Sequence, residues 1–471
     1  MHPALAAELE AQNAAYLKSP VREANLARLR EGARVVITGQ QVGLFLGPLY
    51  TLYKAAAAIQ VARVLTKETG QHVAPVFWLQ TEDHDIVEIA SVRCATQRIS
   101  LPVFAHNRIS MAHLPLPKEV TEAVKRVQAC VGHLPYADEH LAQLSRHYQE
   151  GKGYSEAFAG LLAEVFAEEG LVLFNPRTQN VAPLAIPIHR KALTEADIIA
   201  NALSEGQNVV HVRPRSPLSF FHPEGAIGPR YRLKSCSGGF STVGGGPPVY
   251  TLEELLTTLD REPLRFSTSA LLRPLLQDSL FHTAVYLGGP SELSYFKQLA
   301  PLYPLFGQVM PKIAPRAHFI LIDKKTALAL DTWGLTPPEL ERPLDELLAR
   351  LRPACKPSGL EVTMALEQAF EETLQRFSLT QVATPLRKTR SSLHRISQKL
   401  GDHVDRQAAR QNTALVEELS RLQEALYPDG TPQERVYGFS VYASRYGARS
   451  FVQQILRAVR PFDDTLIELA L

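Results

Sequence analysis

The chain has 471 residues, of which 45% are hydrophobic and 21% are charged, with 27 glycines and 33 prolines. This near-average composition excludes collagen-like, disordered and disulfide-scaffold proteins, and the length suits about three structural units of roughly 150 residues each. The 50 basic and 48 acidic residues give a net charge of +2, which lacks the basic excess typical of proteins that bind nucleic acid or anionic membranes.

The chain opens with the pattern of a parallel β-α-β unit. Residues 34–38 form a short apolar, β-branched run typical of a buried strand, and the glycine-rich segment GQQVGLFLGP leads from it into a helix predicted over residues 49–66. A second apolar strand, predicted over residues 73–81, begins about 40 residues after the first, which is the spacing that a parallel crossover needs. The first part of the chain therefore resembles a Rossmann-type domain.

Two further units continue this alternation. A helix around residues 158–166 leads directly into a strand at 171–174, and a strand at 282–287 leads through two glycines and a proline into a helix at 291–299. The stretches near 100–154 and 208–266 are predicted to be irregular insertions into the sheet domain, the second with short strands and turns.

The chain changes character after Pro337. Apolar residues between Leu386 and Leu426 recur at steps of three, four and seven, which predicts one long helix of about 60 Å that ends before the breaker Pro428. Such a helix needs a partner, and we expect residues 361–377 to pack against it antiparallel, with a second subunit completing a coiled coil.

These patterns predict an α/β fold class with a Rossmann-like parallel-sheet core and a C-terminal α-helical coiled coil. The predicted domains are a core over 1–335 with insertions near 100–154 and 208–266, a helical coiled-coil domain over 336–430, and a segment over 431–471 that returns to the core.

The sequence gives no sign of a membrane segment or of a covalent framework. No apolar run approaches the ~18 residues of a membrane span, and the amino end lacks a signal-peptide pattern, so we expect a cytoplasmic protein. The cysteines are far apart and include no Cys-x-x-Cys pair, so we expect neither disulfides nor a thiolate zinc site at Cys94, Cys130, Cys236 and Cys355.

The first candidate site is the loop from Thr38 to Tyr50. It lies beyond the carboxyl end of a predicted strand and at a helix amino terminus, where free main-chain N–H groups favour a phosphate or carboxylate. Gln40 and Gln41 add hydrogen-bonding groups, and Lys54 adds a positive charge. Because the spacing matches neither the dinucleotide-binding nor the Walker pattern, a plain tight turn is the alternative.

The second candidate is Glu82-Asp83-His84-Asp85, directly after the second strand. Carboxylates next to an imidazole raise its pKa and could make His84 a general base near neutral pH. Two alternatives are helix capping by the carboxylates and a metal site formed by His84, Asp85 and Glu88.

The third candidate is LGGPSE at residues 287–292, preceded by Arg273-Pro274 and Gln277-Asp278. Its glycine turn could face the first loop across a cleft, although Gly288 could equally serve close helix packing. We expect residues 39–50, 82–85 and 288–292 to converge around one hollow. The basic run between Arg387 and Lys399 is interpreted as a solvated helix face and not as an RNA-binding surface.

Four long blocks carry a resemblance to a known family. TGQQVGLFLGPLYTLYKA, PVFWLQTEDHDIVEI, LLRPLLQDSLFHTAVYLGGPSELSYFKQL and ALYPDGTPQERVY occur in the order found in the cysteine-adding enzymes of bacillithiol biosynthesis, the BshC family. The similarity runs nearly end to end. It implies a Rossmann-like core interrupted by connecting subdomains and a C-terminal coiled coil that forms a homodimer.

The resemblance also implies an activity. The implied reaction joins L-cysteine to the amino group of glucosaminyl malate by an amide bond. ATP is expected to activate the carboxylate, so the protein should bind ATP and ADP. No metal is expected in the protein itself. In this scheme Lys54 and Arg316 offset developing charge, and His84 with Asp83 and Glu82 takes the proton from the attacking amine.

The same blocks supply the remaining candidates. The substrate-binding set is Thr38, Gly39, Gln40, Gln41, Gly47, Tyr50, Trp78, Asp85, Gln277, Asp278, Tyr286, Gly288, Gly289, Glu292 and Arg316. The nucleotide-binding set is Gln433, Arg435 and Tyr437, beside Glu434. Two other functions stay open: a dimeric nucleotide-binding scaffold without catalysis, and a metal-dependent hydrolase that uses residues 82–85.

Overall fold

The structure is a computed structural model that describes residues 1–102, 108–204, 216–245, 248–351, 358–377, 383–411 and 413–471. These residues form two compact units, 1–319 with 436–467, and 320–435 with 468–471. The sequence patterns predict a core that ends at residue 335; in the structure the chain leaves the first unit after Phe319 and returns to it at Val436.

The strands, in chain order, are β1 (Arg34–Gln40), β2 (Val73–Leu79), β3 (Ser91–Cys94), β4 (Gln97–Ser100), β5 (Val172–Phe174), β6 (Ser219–Phe221), β7 (Tyr231–Cys236), β8 (Gly239–Thr242), β9 (Phe266–Thr268), β10 (Thr283–Gly288), β11 (Lys312–Pro315), β12 (Phe319–Ile322) and β13 (Ile467–Ala470). The helices are α1 (Pro3–Ala14), α2 (Pro20–Arg30), α3 (Tyr50–Thr69), α4 (Ile86–Ile89), α5 (Val120–Val131), α6 (Ala137–His147), α7 (Tyr154–Val165), α8 (Ala182–Thr194), α9 (Ala196–Ser204), α10 (Leu252–Arg261), α11 (Arg273–Leu280), α12 (Pro290–Gln298), α13 (Leu302–Leu305), α14 (Lys324–Trp333), α15 (Leu344–Arg350), α16 (Gly359–Arg376), α17 (Ala383–Gln411), α18 (Thr413–Leu426), α19 (Gln433–Val436), α20 (Ser440–Tyr446) and α21 (Ala448–Ala458).

The first unit is built on a parallel sheet of five strands in the order β11-β10-β1-β2-β5. Helix α3 connects β1 to β2, as the crossover between adjacent parallel strands requires. This sheet confirms the predicted Rossmann-like α/β core. Because β1 lies between β10 and β2, the loops that follow these three strands leave the same edge of the sheet as neighbours.

The sheet is buried on both faces, which explains why its strands are continuous apolar runs. Val35 and Ile37 of β1 belong to a large core cluster that includes Trp78 of β2 and leucines of α1, α2 and α11. Val36, between them in sequence, is equally buried, and in a strand its side chain points to the opposite face.

The second insertion contains a small antiparallel sheet in the order β8-β7-β6-β9. Its core joins Phe221, Leu233 and Phe266 to Leu255 and Leu259 of α10. The predicted short strands are therefore confirmed. Residues 205–215 and 246–247 of this insertion lie outside the described residues.

The first insertion differs from the prediction. It contains α5 and α6, so the irregular interpretation of residues 100–154 was wrong for most of residues 120–147. Val120, Ala123, Val127 and Val131 of α5 are buried and recur at helical spacing. The short loop GHLPY, rich in turn residues, separates the two helices and interrupts the pattern in the sequence.

In the second unit, α16 and α17 form the predicted antiparallel pair. The Thr363 hydroxyl donates to the Ser397 carbonyl at 3.1 Å, and Arg390 Nη2 lies 2.6 Å from Glu371 Oε2. Glycines 359 and 401 stand where the helices approach, and an added Cβ at either would strike the other's main chain. The single helix predicted from Leu386 to Leu426 corresponds to α17 and α18, and residue 412 between them lies outside the described residues.

None of the helices in the described ranges is both long enough and apolar enough to cross a membrane.

Candidate active site

The first and third predicted segments meet in a buried ion pair. Lys54 Nζ, on the second turn of α3, donates to the Gly39 carbonyl at 2.8 Å and lies 2.6 Å from Glu292 Oε2 in the first turn of α12. Glu292 also accepts from the Tyr286 hydroxyl at 2.8 Å and from the Gly289 N–H at 2.9 Å. The Thr38 hydroxyl donates to the Leu287 carbonyl at 2.9 Å, which ties β1 to β10 at the same edge.

Two buried arginines make this cluster positively charged. Arg273 donates to the Tyr286 hydroxyl at 3.2 Å and to Gln277 Oε1 at 2.9 Å. Arg316 follows β11, and its guanidinium carbon lies 5.5 Å from the centre of the Tyr50 ring. With Lys54, these arginines place three cations close together beside the Glu292 carboxylate, and such a set of buried cations suits a phosphate or a carboxylate.

The pKa shifts in the cluster follow from burial and from these neighbours. Burial lowers the pKa of Lys54, Glu292 opposes this shift, and Arg316 and Arg273 lower the pKa further. Burial alone would raise the pKa of Glu292, but Lys54, the Gly289 N–H and the Tyr286 hydroxyl outweigh it and hold the pKa of this carboxyl below its ordinary value. Glu292 is therefore a charged anchor at neutral pH.

The second segment is joined directly to the first. Gly39 of β1 pairs with Trp78 of β2, and Gln40 pairs with Leu79. The two strands therefore leave the sheet at the same level. Beyond the strands, Gln41 Nε2 donates to Asp83 Oδ2 at 2.8 Å. The structure thus brings the three predicted segments together at one edge of the sheet.

His84 has the properties of a neutral proton acceptor. Its main-chain N–H donates to Asp83 Oδ1 at 2.7 Å, and its ring Nδ1 lies 3.6 Å from that oxygen. Nδ1 is buried and has no hydrogen-bond partner among the described residues. Because the His84 side chain as a whole is 31% exposed, a substrate amine can reach the neutral ring and transfer a proton to it.

The direction of the His84 pKa shift corrects the prediction. We expected the adjacent carboxylates to raise the pKa, but burial of the ring and the positive charge of Arg230 lower it, against the opposing effects of Asp83 and Asp85. Arg230 belongs to the second insertion and lies about 145 residues away in sequence, so the local motif could not reveal it.

Glu82 acts as a tether between the loop and the inserted sheet. Its carboxylate is buried and accepts hydrogen bonds from the main-chain N–H and the hydroxyl of Thr268 at the end of β9. These contacts occupy the carboxylate and give no support to the catalytic role predicted for Glu82.

Asp85 is exposed at the N-cap position of α4, where its side chain makes no capping hydrogen bond. In the described part of the chain, no group of three or more His, Cys, Asp or Glu side chains could hold a metal ion. Asp85 therefore does not cap α4, and Asp85 and Glu88 do not belong to a metal site among the described residues.

The glycine loop is packed against neighbouring side chains, and the N–H groups at its helix end already have acceptors. Phe45, Leu46 and Gly47 have successive positive φ angles of 49°, 73° and 64°, and the Phe45 ring lies 4.7 Å from the Tyr148 ring. The N–H groups of residues 49, 51, 52 and 53 donate to main-chain carbonyls, so the expected main-chain anion cradle is not available at these N–H groups. The positive charge comes instead from side chains.

Gln40 supplies a second unsatisfied acceptor. Its Nε2 donates to the Thr51 hydroxyl at 2.5 Å, whereas its Oε1 is buried and has no hydrogen-bond partner among the described residues. A buried amide oxygen without a partner is costly, so a ligand that donates a hydrogen bond here would be favoured.

Two predicted residues make contacts other than those expected of a substrate site. Trp78 belongs to the large core cluster, where its ring meets Phe174 at 5.1 Å, so its contacts are those of a packing residue. Asp278 accepts from Thr283, the first residue of β10, at 2.6 Å and from Tyr303 at 2.7 Å. Asp278 lies at the Thr283 end of β10, away from Gly288, and its link to the charged cluster runs through Gln277, whose Nε2 donates to Asp278 Oδ1 at 3.0 Å and whose Oε1 accepts from Arg273.

The predicted nucleotide-binding residues make different contacts. In the second unit, the buried Gln433 side chain accepts a hydrogen bond from the Leu321 N–H at 2.9 Å and donates to the Leu321 and Ala425 carbonyls. Arg435, in the same unit, is exposed. In the first unit, the Tyr437 carbonyl accepts from the Leu49 N–H at 2.9 Å. Their nucleotide role stays a prediction.

The sequence analysis named Arg273 beside the third candidate without giving it a role, and it missed Arg230. Arg273 stands in the apolar run ALLRPLL, and a charged residue inside such a run is a signal of a buried, paired side chain. Arg230 stands in a turn-rich stretch and carries no comparable signal, because only the folded insertion places it beside residues 82–84.

Gly39 is required where β1 and β2 leave the sheet. A Cβ at this position would meet the Trp78 Cβ at 2.8 Å as well as the Trp78 main-chain oxygen, so G39A must push the strands apart. We expect G39A to lower the free energy of unfolding by about 1–3 kcal/mol, as overpacking does, in a urea titration. G289A is the control, since its Cβ would have ordinary contacts at 3.6 Å or more; equal stability of G39A and wild type would contradict the expected clash.

Comparison with known proteins identifies the family. The model described as "Bacillithiol biosynthesis BshC, N-terminal Rossmann-like domain" matches residues 2–317, and "Bacillithiol biosynthesis BshC, C-terminal coiled-coil domain" matches residues 319–468. The relative named "Putative cysteine ligase BshC" from Koribacter versatilis is 32% identical, with 94% of this chain and 85% of the relative covered. Relatives of the same name from Exiguobacterium sibiricum (32% identity, 94% and 86% covered) and Salinibacter ruber (29%, 87% and 78%) are similar over comparable lengths.

One solved structure also aligns. It is titled a putative arginyl tRNA synthetase from Campylobacter jejuni, with 9% identity, 94% of this chain and 98% of that chain covered, and a TM-score of 0.25, which is too low to support any argument. The family models and the full-length relatives agree with the parallel sheet and the antiparallel helix pair described above. The chain therefore belongs to the BshC family of bacillithiol biosynthesis.

Proposed function

We propose that this protein is a cysteine ligase that joins the carboxylate of L-cysteine to the amino group of glucosaminyl malate, with ATP activating the carboxylate. The observation that carries the proposal is the junction of a positively charged cluster and a neutral imidazole at one sheet edge, through the hydrogen bond from Gln41 to Asp83. Membership of the BshC family and the names of its relatives support the choice of cysteine.

The positive cluster suits the first requirement of amide formation. A carboxylate is a poor acyl donor in water, and activation by ATP supplies a leaving group that carries phosphate charge. Lys54, Arg273 and Arg316 would stabilise this charge as it develops, and their burial strengthens the electrostatic effect. Glu292 holds Lys54 in place.

His84 suits the second requirement. The attacking amine loses a proton as the carbon–nitrogen bond forms, and an imidazole whose pKa is lowered is unprotonated at pH 7 and can accept it. Asp83, which bonds to the His84 N–H and to Gln41, orients the loop that carries this base.

The direct test incubates the purified protein with L-cysteine labelled with ¹⁸O in its carboxylate, glucosaminyl malate and ATP. We expect the amide product by mass spectrometry and one ¹⁸O atom in the phosphate-containing product, since the activated oxygen leaves with phosphorus. Deletion of the gene should cause glucosaminyl malate to accumulate with loss of the finished thiol. A scaffold without catalysis predicts no amide with ATP and any metal supplied, and a hydrolase predicts sensitivity to chelators.

We also propose that the protein works as a homodimer through its helical unit. Apolar side chains on α16 and α17 and just beyond α16 are between 44% and 66% exposed, which is unusual for residues this large: Leu360, Met364, Phe377, Ile396 and Leu400. Ile396 and Leu400 are one turn apart on α17, so they form a continuous apolar surface suited to the same helix pair of a second copy.

We expect I396E to convert the dimer into a monomer, because it would bury a carboxylate in the apolar surface between the two copies. Light scattering coupled to size-exclusion chromatography measures the mass of each variant. S391E is the control: Ser391 is also exposed, and five residues before Ile396 it lies on a different side of α17, so the added charge stays outside the apolar surface and the variant should remain dimeric. A monomeric wild type, or an I396E protein that stays dimeric, would contradict this assembly.

A further inference from the structure

Arg230 is a buried cation that the proposed reaction does not use. It immediately precedes β7 in the inserted sheet, its side chain is almost fully buried, and its main-chain N–H donates to the Arg108 carbonyl at 2.9 Å. Burying a guanidinium is costly unless its N–H groups find partners, so the contacts that Arg230 makes show what it is positioned to hold.

Those contacts connect two separate parts of the first unit. Nη1 donates to the Glu82 carbonyl and lies 3.7 Å from Asp83 Oδ1, while Nη2 donates to the Thr268 carbonyl at 2.9 Å at the end of β9. The guanidinium also stacks over the Phe220 ring of β6, with its carbon 3.9 Å from the ring centre. Arg230 is therefore a bridge from the inserted sheet to the loop that carries His84.

A planar guanidinium suits this bridge better than an ammonium. It donates in two directions in one plane while its face covers an aromatic ring, whereas a lysine provides a point charge on a flexible stem. The neighbouring tether from Glu82 to Thr268 fixes the same pair of segments, so Arg230 is held at both ends.

We infer that Arg230 is a positioning residue for the reaction: it fixes the 82–85 loop through the Glu82 carbonyl and the Asp83 carboxylate, and it sets the electrostatic environment of the His84 ring. The inference rests on the proposed function only where it assigns His84 a use in catalysis. On this inference, the second insertion completes the site next to His84 by contributing Arg230.

The charges around His84 fix the sign of the expected effect. Burial is the largest influence and lowers the pKa of His84; Arg230 and, more weakly, Arg108 act in the same direction, whereas Asp83 and Asp85 raise it. The ring also faces Phe220, with its centre 6.2 Å away. Removing the charge of Arg230 must therefore raise the pKa of His84, and removing the charge of Asp83 must lower it.

The test is a histidine NMR titration of the full-length protein labelled at the imidazole carbons, with the His84 signal assigned by its loss in H84N. We expect the His84 midpoint to move to higher pH in R230M and R230Q, to stay near wild type in R230K, and to move to lower pH in D83N. R265M is the matched control, since Arg265 of the same insertion also donates to carbonyls, at 3.0 and 2.8 Å, and stacks on Phe221 without reaching the 82–85 loop. Its His84 midpoint should equal that of wild type.

The inference is overturned if R230M and R230Q leave the midpoint unchanged, or if R265M moves it equally. Should R230M fail to fold, R230Q decides, because it removes the charge while keeping a polar side chain in this polar environment. Failure of the proposed function gives a different result: the wild type would then form no amide, or H84N would form it at the wild-type rate, while the midpoints still move as expected.

Discussion

K54M is expected to lower kcat/KM for amide formation by about 100-fold or more and to destabilise the protein. The loss of rate follows because Lys54 is a buried cation that contacts both the first loop, at the Gly39 carbonyl, and the third, at Glu292, and removing one preorganised donor of an electrostatic site has effects of this order. The loss of stability, about 1–3 kcal/mol, follows because Glu292, whose side chain is 23% exposed, would lose its charged hydrogen-bond partner. Steady-state kinetics and urea unfolding measure the two effects.

A double variant separates these effects. K54M combined with E292Q removes both charges, so we expect it to recover most of the stability and none of the activity. K67M, in the exposed last turn of the same helix, should match wild type in both measurements. If the double variant regained activity along with stability, Lys54 would be only a structural partner of Glu292.

H84N is expected to lower turnover by about 100- to 10,000-fold at pH 7, the range typical for loss of a general base. Because the pKa of His84 is lowered, the base is unprotonated at pH 7, and wild-type activity should decline only below the ordinary histidine pKa of 6.5 as the ring takes up a proton. A pH–rate profile of kcat/KM shows this acidic limb in the wild type, and H84N should lack it.

H133N is the matched control, since His133 is exposed in the loop between α5 and α6 and should leave both rate and profile unchanged. H84N with wild-type turnover at saturating substrate would remove the base from the proposal. If the acidic limb of the wild-type pH–rate profile were centred above pH 6.5, the pKa of His84 would be raised and not lowered, which would contradict the expected direction.

Much of the core could be predicted from local patterns. The apolar run of β1, the glycine segment and the alanine-rich α3 are each specified by neighbouring residues, and a parallel sheet places the loops after its strands at one edge. This rule was sufficient to expect that residues 39–50, 82–85 and 288–292 would meet, as the contacts of Lys54 with Glu292 and of Gln41 with Asp83 show.

The parts that were missed depend on tertiary position. Asp278 and Glu292 are only 14 residues apart in sequence, yet β10 separates them, and no local pattern says which end of a strand faces a site. The pKa of His84 depends on Arg230 from an insertion whose path the sequence does not specify. Likewise Glu82 resembles an acid in a catalytic motif but is occupied by Thr268.

The strand order has a consequence for synthesis on the ribosome. β1 pairs with β10, which is synthesised about 240 residues after it. At a translation rate of about 5–20 residues per second, the apolar edge of β1 stays unpaired for roughly 10–50 s. An unpaired hydrophobic strand is a template for pairing with other chains, so nascent molecules are vulnerable to aggregation throughout this interval. Cells that make this protein would be expected to depend on chaperones that bind the incomplete sheet until β10 emerges.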